Sequence, residues 1–70
     1  MNVKESLGKR IKILRNEIGI SQEELADRAE IDRTYITSVE CGKRNISIVN
    51  IEKIAKALGV TLSKLFDFEY

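Results

Sequence analysis

The sequence predicts an all-α fold, a compact bundle of about five short helices. Three observations carry that expectation. Apolar residues recur at helical spacing in one segment after another, proline is absent, and no stretch alternates apolar and polar residues in the period of a strand. The connections between the periodic segments are short, as in small helical bundles.

The first helix runs from about Val3 to Ile18. Leu7, Ile11, Leu14 and Ile18 recur at i, i+4, i+7 and i+11 and make one apolar face. Gly19 follows as a left-handed C-terminal residue, with Ile20 in the apolar position beyond it. Gly8, inside the helix, costs roughly 1 kcal/mol against alanine and marks a close approach by a neighbour.

Two helices and a tight turn occupy the stretch from Ser21 to Val39. Ser21 is a good N-cap and Glu24 completes a capping box, so a helix opens at Gln22. Leu25, Ala26 and Ala29 share a face, and Ala26 is small where a second helix must come near. Glu30 and Ile31 break the run. If the backbone at Glu30 is left-handed, a glutamate there costs about 1 kcal/mol. Asp32 caps the next helix, with Ile36 and Val39 as its inner face and Gly42 at its end.

Lys43, Arg44, Asn45 and Ile46 form a short basic loop. Ser47 caps a fourth helix whose inward stripe is Ile48, Ile51, Ile54, Ala55 and Leu58. Gly59 stops it and Val60 covers the end. Thr61 caps a last short helix with Leu62, Leu65 and Phe66 on one face, and Asp67 to Tyr70 is a tail.

Seventy residues make a single domain, 1–70, able to bury one modest core. One cysteine and no histidine exclude an intramolecular disulfide and the usual zinc-ligand sets. No metal and no other cofactor is expected. Oligomerisation is then the expected source of added stability. A lone cysteine suits a reducing, cytoplasmic setting. No signal peptide or membrane span is expected, since no apolar run is long enough. No histidine, glycine-rich phosphate loop or carboxylate pair in an apolar setting is present, so the chain is not expected to be an enzyme.

The net charge is only +1, but it is segregated. The first helix carries Lys4, Lys9, Arg10, Lys12 and Arg15 against Glu5 and Glu17. The second carries Glu23, Glu24, Asp27 and Glu30 against Arg28. Arg33, Lys43 and Arg44 then restore positive charge. On the third helix, Thr34, Thr37, Ser38 and Cys41 face outward, with Arg33 at the exposed N-terminal end. Short side chains let a helix sit deep in a DNA groove. Arginine can grip guanine O6 and N7, and threonine can offer a hydroxyl or a methyl to base edges. A plain solvated face is the alternative, though such faces are usually richer in lysine and glutamate. Glu40 falls beside Ile36 and Val39 on the inner side and needs a partner there, since a buried carboxylate left unpaired costs several kcal/mol or takes up a proton.

The spacing of Gln22, Leu25, Ala26, Ala29, Ile31, Ile36 and Val39 resembles the helix-turn-helix of phage-repressor and Cro proteins, a lambda-repressor-like DNA-binding domain. The motif covers about 22–41, with a dimerisation region at about 46–70. The segment DRTYITSVECGKRNISI is similar, more narrowly, to the controller proteins of restriction–modification systems. That resemblance implies a homodimer on paired operator sites in double-stranded DNA. It also implies base reading by Arg33 and Thr34, with Tyr35 and Ser38 flanking them, a phosphate contact from Gln22, and a backbone or groove contact from Arg44 and Asn45. It further implies an Arg15–Glu40 ion pair beneath the reading helix. The outward placement of Thr37 and Ser38 makes them further base-reading candidates, and Tyr35 and Lys43 are further candidates for the backbone. Glu23, Glu24 and Asp27 have two readings: carboxylates favoured by the helix dipole, or a contact for the RNA polymerase sigma subunit. Cys41 departs from the pattern, since controllers commonly carry arginine there. Either a phosphate-binding charge is missing or the thiol senses oxidation, although a lone cysteine has no resolving partner. Thr37 stands where serine is common.

Val49, Leu65, Phe66 and Phe68 are the expected dimer interface, with Tyr70 beside them. Two other functions remain open: a phage-type or antitoxin-linked repressor, and a protein-interaction module with no DNA role.

Overall fold

A computed structural model describes residues 2–69. Five helices follow one another: α1 (Val3–Glu17), α2 (Gln22–Ala29), α3 (Arg33–Glu40), α4 (Ile48–Leu58) and α5 (Leu62–Leu65). No strand occurs among the described residues. Every helix opens on a polar cap. The side chains of Asn2, Ser21, Asp32, Ser47 and Thr61 each accept a backbone N–H from the first turn that follows.

The first four helices end alike. The Gly19 and Ile20 amides donate back to the Asn16 and Arg15 carbonyls at 3.1 and 3.3 Å. The same crossed pair recurs after α2, α3 and α4, a Schellman closure that needs a left-handed residue. Gly19, Gly42 and Gly59 supply it after α1, α3 and α4. Glu30 supplies it after α2, at φ 57°, and bears the expected cost of about 1 kcal/mol.

Among the described residues the largest completely buried side chains are Ile11, Leu25, Ile36, Ile54 and Leu65, one from each helix. The core therefore lies where all five helices meet. α3 packs on both α1 and α2, α4 packs on α2, and α5 lies against α1 and α4. The α1–α3 contact is close. A Cβ on Gly8 would stand 2.3 Å from the Val39 carbonyl oxygen and 2.9 Å from that of Glu40. The glycine read as a mark of close approach is thus the point where two backbones touch.

Several expectations fail at helix ends. α1 stops at Glu17, so Ile18 is its C-cap and is exposed, while Arg15 takes the last inward place. Ile48 is 75% exposed, because as the first residue of α4 it precedes the turn that reaches the core. α5 is a single turn and can send one residue inward. That residue is Leu65, and Leu62 and Phe66 stay exposed. Leu65 is accordingly withdrawn from the expected dimer interface, since the protomer's own core encloses it. Tyr70 lies outside the described residues. The capping box is half formed: Ser21 Oγ accepts the Glu24 amide, but the Glu24 carboxylate accepts from Arg28 Nε at 2.9 Å instead of turning back.

Gly8→Ala gains up to about 1 kcal/mol of helix propensity, but inserting a methyl against fixed backbone costs roughly 1–3 kcal/mol or more. Urea unfolding should show a net loss. Gly19→Ala, with nothing within 4 Å of the new carbon but a left-handed backbone at φ 72°, should lose only the roughly 1 kcal/mol of that backbone and serves as the comparison without steric contact. A neutral or stabilising Gly8→Ala would mean that the two helices separate freely.

Candidate nucleic-acid interface

The third helix is seated by a buried fork. Arg15 Nε donates to Glu40 Oε2 at 2.7 Å and Nη2 donates to Oε1 at 3.0 Å. The Glu40 side chain is 2% exposed and that of Arg15 10%. Arg15 Nη1 also donates to the Ile20 carbonyl at 2.9 Å, which ties the α1–α2 connection into the same group. The hydrogen bond from Arg15 to the Glu40 carboxylate raises the guanidinium pKa further above its ordinary value. The expected ion pair therefore forms.

Gln22 extends the fork. Its Nε2 donates to Glu40 Oε1 at 3.0 Å, and its Oε1 accepts from the Thr37 hydroxyl at 2.9 Å. Read from the sequence as a phosphate contact, Gln22 is half-buried and spends one amide N–H and its carbonyl inside the fold. Its second N–H remains available for a phosphate.

Arg33, Thr34 and Thr37 are exposed together on the outer side of α3, with Ser38 half-buried beside them. The Thr34 hydroxyl donates to Asp32, the Thr37 hydroxyl lies 3.1 Å from the Arg33 carbonyl, and the Ser38 hydroxyl donates to the Thr34 carbonyl at 3.0 Å. Asp32 also accepts the Thr34 amide at 2.7 Å. These bonds, the Thr34 hydroxyl first, hold the Asp32 carboxyl below the usual aspartate range. The start of the helix is therefore anchored by a charged cap.

The basic loop is attached to the same surface. The Arg44 guanidinium sits 4.6 Å above the centroid of the Tyr35 ring, a cation–π contact between residues nine apart. Lys43 and Asn45 are exposed on either side, and Cys41 is an exposed free thiol at the end of α3. Two cations of α1 prove structural. Arg15 holds Glu40, and Arg10 Nε and Nη2 both donate to the Lys64 carbonyl, at 3.2 and 2.9 Å, fastening α5 to α1. Nothing in the sequence singled out Arg10, because its partner is a backbone group 54 positions away.

Glu23, Glu24 and Asp27 are exposed on α2. Val49 is 59% exposed on α4. Phe66 is exposed, and its ring lies 5.9 Å from that of Phe68, which packs partly on the core. Among the described residues no helix is long and apolar enough to cross a membrane.

A family model for the helix-turn-helix matches residues 11–65. The control protein C.MunI of a Mycoplasma species is 50% identical over 66 residues, 93% of this chain and 89% of that protein. Among solved structures, the restriction–modification controller C.AhdI from Aeromonas hydrophila superposes with a TM-score of 0.84. It is 47% identical and the match covers 86% of this chain and 91% of that one. C.Esp1396I bound to a 19 base pair DNA duplex superposes with a TM-score of 0.89 at 36% identity, covering 96% of this chain and 89% of that one.

Arg15→Ala leaves Glu40 buried without its cation. The expected loss is roughly 3–5 kcal/mol of unfolding free energy, a large part of a small domain's stability. Thermal unfolding checks it. An unchanged midpoint would mean that water reaches Glu40.

Proposed function

Because this chain belongs to the helix-turn-helix family and stands among its restriction–modification controller proteins, we propose that it is the controller of such a system. It regulates transcription as a homodimer bound to a near-palindromic operator. The observation that supports this best is the seat of α3. The Arg15–Glu40–Gln22 group holds the helix from below, and its outer side carries Arg33, Thr34, Thr37 and Ser38. One of the similar controllers has been crystallised on a DNA duplex.

In this reading Arg33 meets guanine from the N-terminal end of α3, and its neighbours set the rest of the preference. Gln22, Tyr35, Lys43, Arg44 and Asn45 hold the sugar-phosphate backbone or enter a groove. Tyr35 presents Arg44 at a fixed place beside α3, which lowers the ordering cost of that contact. The surface offered to a second subunit is Val49, Phe66 and Phe68. A two-fold pair places the two α3 helices in successive major grooves, about 34 Å apart. Glu23, Glu24 and Asp27 are accessible to the RNA polymerase sigma subunit. Such a regulator works in the cytoplasm, beside its DNA, and catalyses nothing.

Two outcomes test the reading. Arg33→Ala should lose about 1–3 kcal/mol of discrimination at one guanine per half-site, with non-specific binding much less affected. Titration against operators carrying each base at that position measures this. An equal loss on all four bases would make Arg33 a phosphate clamp. For the dimer, Val49→Lys with Phe66→Lys should convert the chain to monomer in sedimentation equilibrium and remove any concentration dependence of the melting temperature. A dimer that survives both charges uses another face.

A further inference from the structure

We propose that Thr37 reads a thymine in each half-site through its methyl group, while Gln22, oriented by Glu40, holds its hydroxyl toward the protein. The inference rests on α3 being the DNA-reading helix. Glu40 carries oxygens that can only accept, and both already face Arg15. The Gln22 amide beside it must therefore present its N–H to Glu40 and its oxygen to Thr37. The Thr37 hydroxyl then meets two acceptors on the protein side, Gln22 Oε1 at 2.9 Å and the Arg33 carbonyl at 3.1 Å. It has one proton, and that proton is committed inward. With the oxygen turned toward the protein, the methyl is what this exposed side chain has left for a base edge.

The neighbouring hydroxyls are committed in the same way, that of Thr34 to Asp32 and that of Ser38 to the Thr34 carbonyl. The outer side of α3 is therefore poor in donors once Arg33 is set aside. It carries methyls and acceptor lone pairs. In the major groove the apolar feature of a base pair is the C5-methyl of thymine, and a threonine methyl is a suitable partner for it. Thr37 follows Arg33 by four residues and lies one turn along the same side of the helix, so the thymine belongs to the half-site of the guanine that Arg33 grips.

The test uses a duplex selected by the wild-type protein from a random-sequence pool, with each thymine replaced in turn by deoxyuridine. At one thymine per half-site, loss of the methyl should weaken binding about fourfold, the worth of one buried methyl-sized group. Thr37→Ser keeps the hydroxyl and loses the methyl. It should weaken binding to the thymine duplex by that factor in each subunit, about fifteenfold for the dimer, and no longer distinguish thymine from uracil. Thr37→Val keeps the methyl and should retain both affinity and discrimination. Circular dichroism of each variant controls for folding. A serine variant that behaves as wild type while the valine variant fails would make the hydroxyl the reader and overturn the inference. Uracil discrimination that persists in Thr37→Ser would overturn it in favour of Thr34, and uracil tolerated at every position would overturn it outright. Failure to select any duplex would instead refute the DNA-binding reading beneath it.

Discussion

Glu40 lies on the inner side of α3 with its side chain almost wholly removed from water. A carboxylate there is tolerable because Arg15 meets it with two parallel N–H groups and Gln22 adds a third. Such a buried pair contributes little net stability, and apolar residues of similar volume often do as well or better. Its consequence is directional. An apolar contact tolerates a helix that rolls or slides, whereas a fork of hydrogen bonds at 2.7 and 3.0 Å does not. The pair fixes the rotation of α3 about its own axis, and that rotation decides which residues face outward. The Arg15 bond to the Ile20 carbonyl extends the constraint to the start of α2.

Gly8 makes this fork possible. Without a side chain there, the backbone of α1 comes up to the last turn of α3, against the carbonyls of Val39 and Glu40. Arg15 sits two turns further along α1, where the helices have been brought close enough for its guanidinium to reach Glu40. The apolar core acts with it, since Ile11 of α1 and Ile36 of α3 are both fully buried in it. An isolated helix of eight residues is not stable in water, so α3 exists because these neighbours hold it. Rigidity on the outer side of α3 is thus supplied from inside the domain, and in the proposed complex it would spare the cost of ordering those residues on binding.

The outer face shows the same economy of polar groups. Asp32 caps α3 and takes the Thr34 hydroxyl, Gln22 takes that of Thr37, and a helix carbonyl takes that of Ser38. Tyr35 carries Arg44 from the following loop to a place beside the helix. Side chains that look interchangeable as short and polar are each held in an individual direction.

Much of the fold was legible in the residues alone, because its signals are local. The caps at Ser21, Asp32, Ser47 and Thr61, the glycines at 19, 42 and 59, and the apolar period of α1 and α4 act within a turn or two of chain. The Arg15–Glu40 pair was legible as well, since a carboxylate beside Ile36 and Val39 needs a partner and the family resemblance indicated Arg15. Tertiary structure alone decided how the helix ends are buried and where the polar groups point. Ile18, Ile48 and Leu62 continue the periodic pattern but fall beyond the reach of a neighbour, while Leu65 is enclosed by the core it helps to form. Arg10 fastens α5 through a carbonyl that every residue possesses, so no residue type could announce it. The orientation of Gln22 follows from Glu40, eighteen positions away in sequence and 3.0 Å away in space. Periodicity and capping are properties of a few consecutive residues. The direction of a hydrogen bond between helices depends on every element that brings its two ends together.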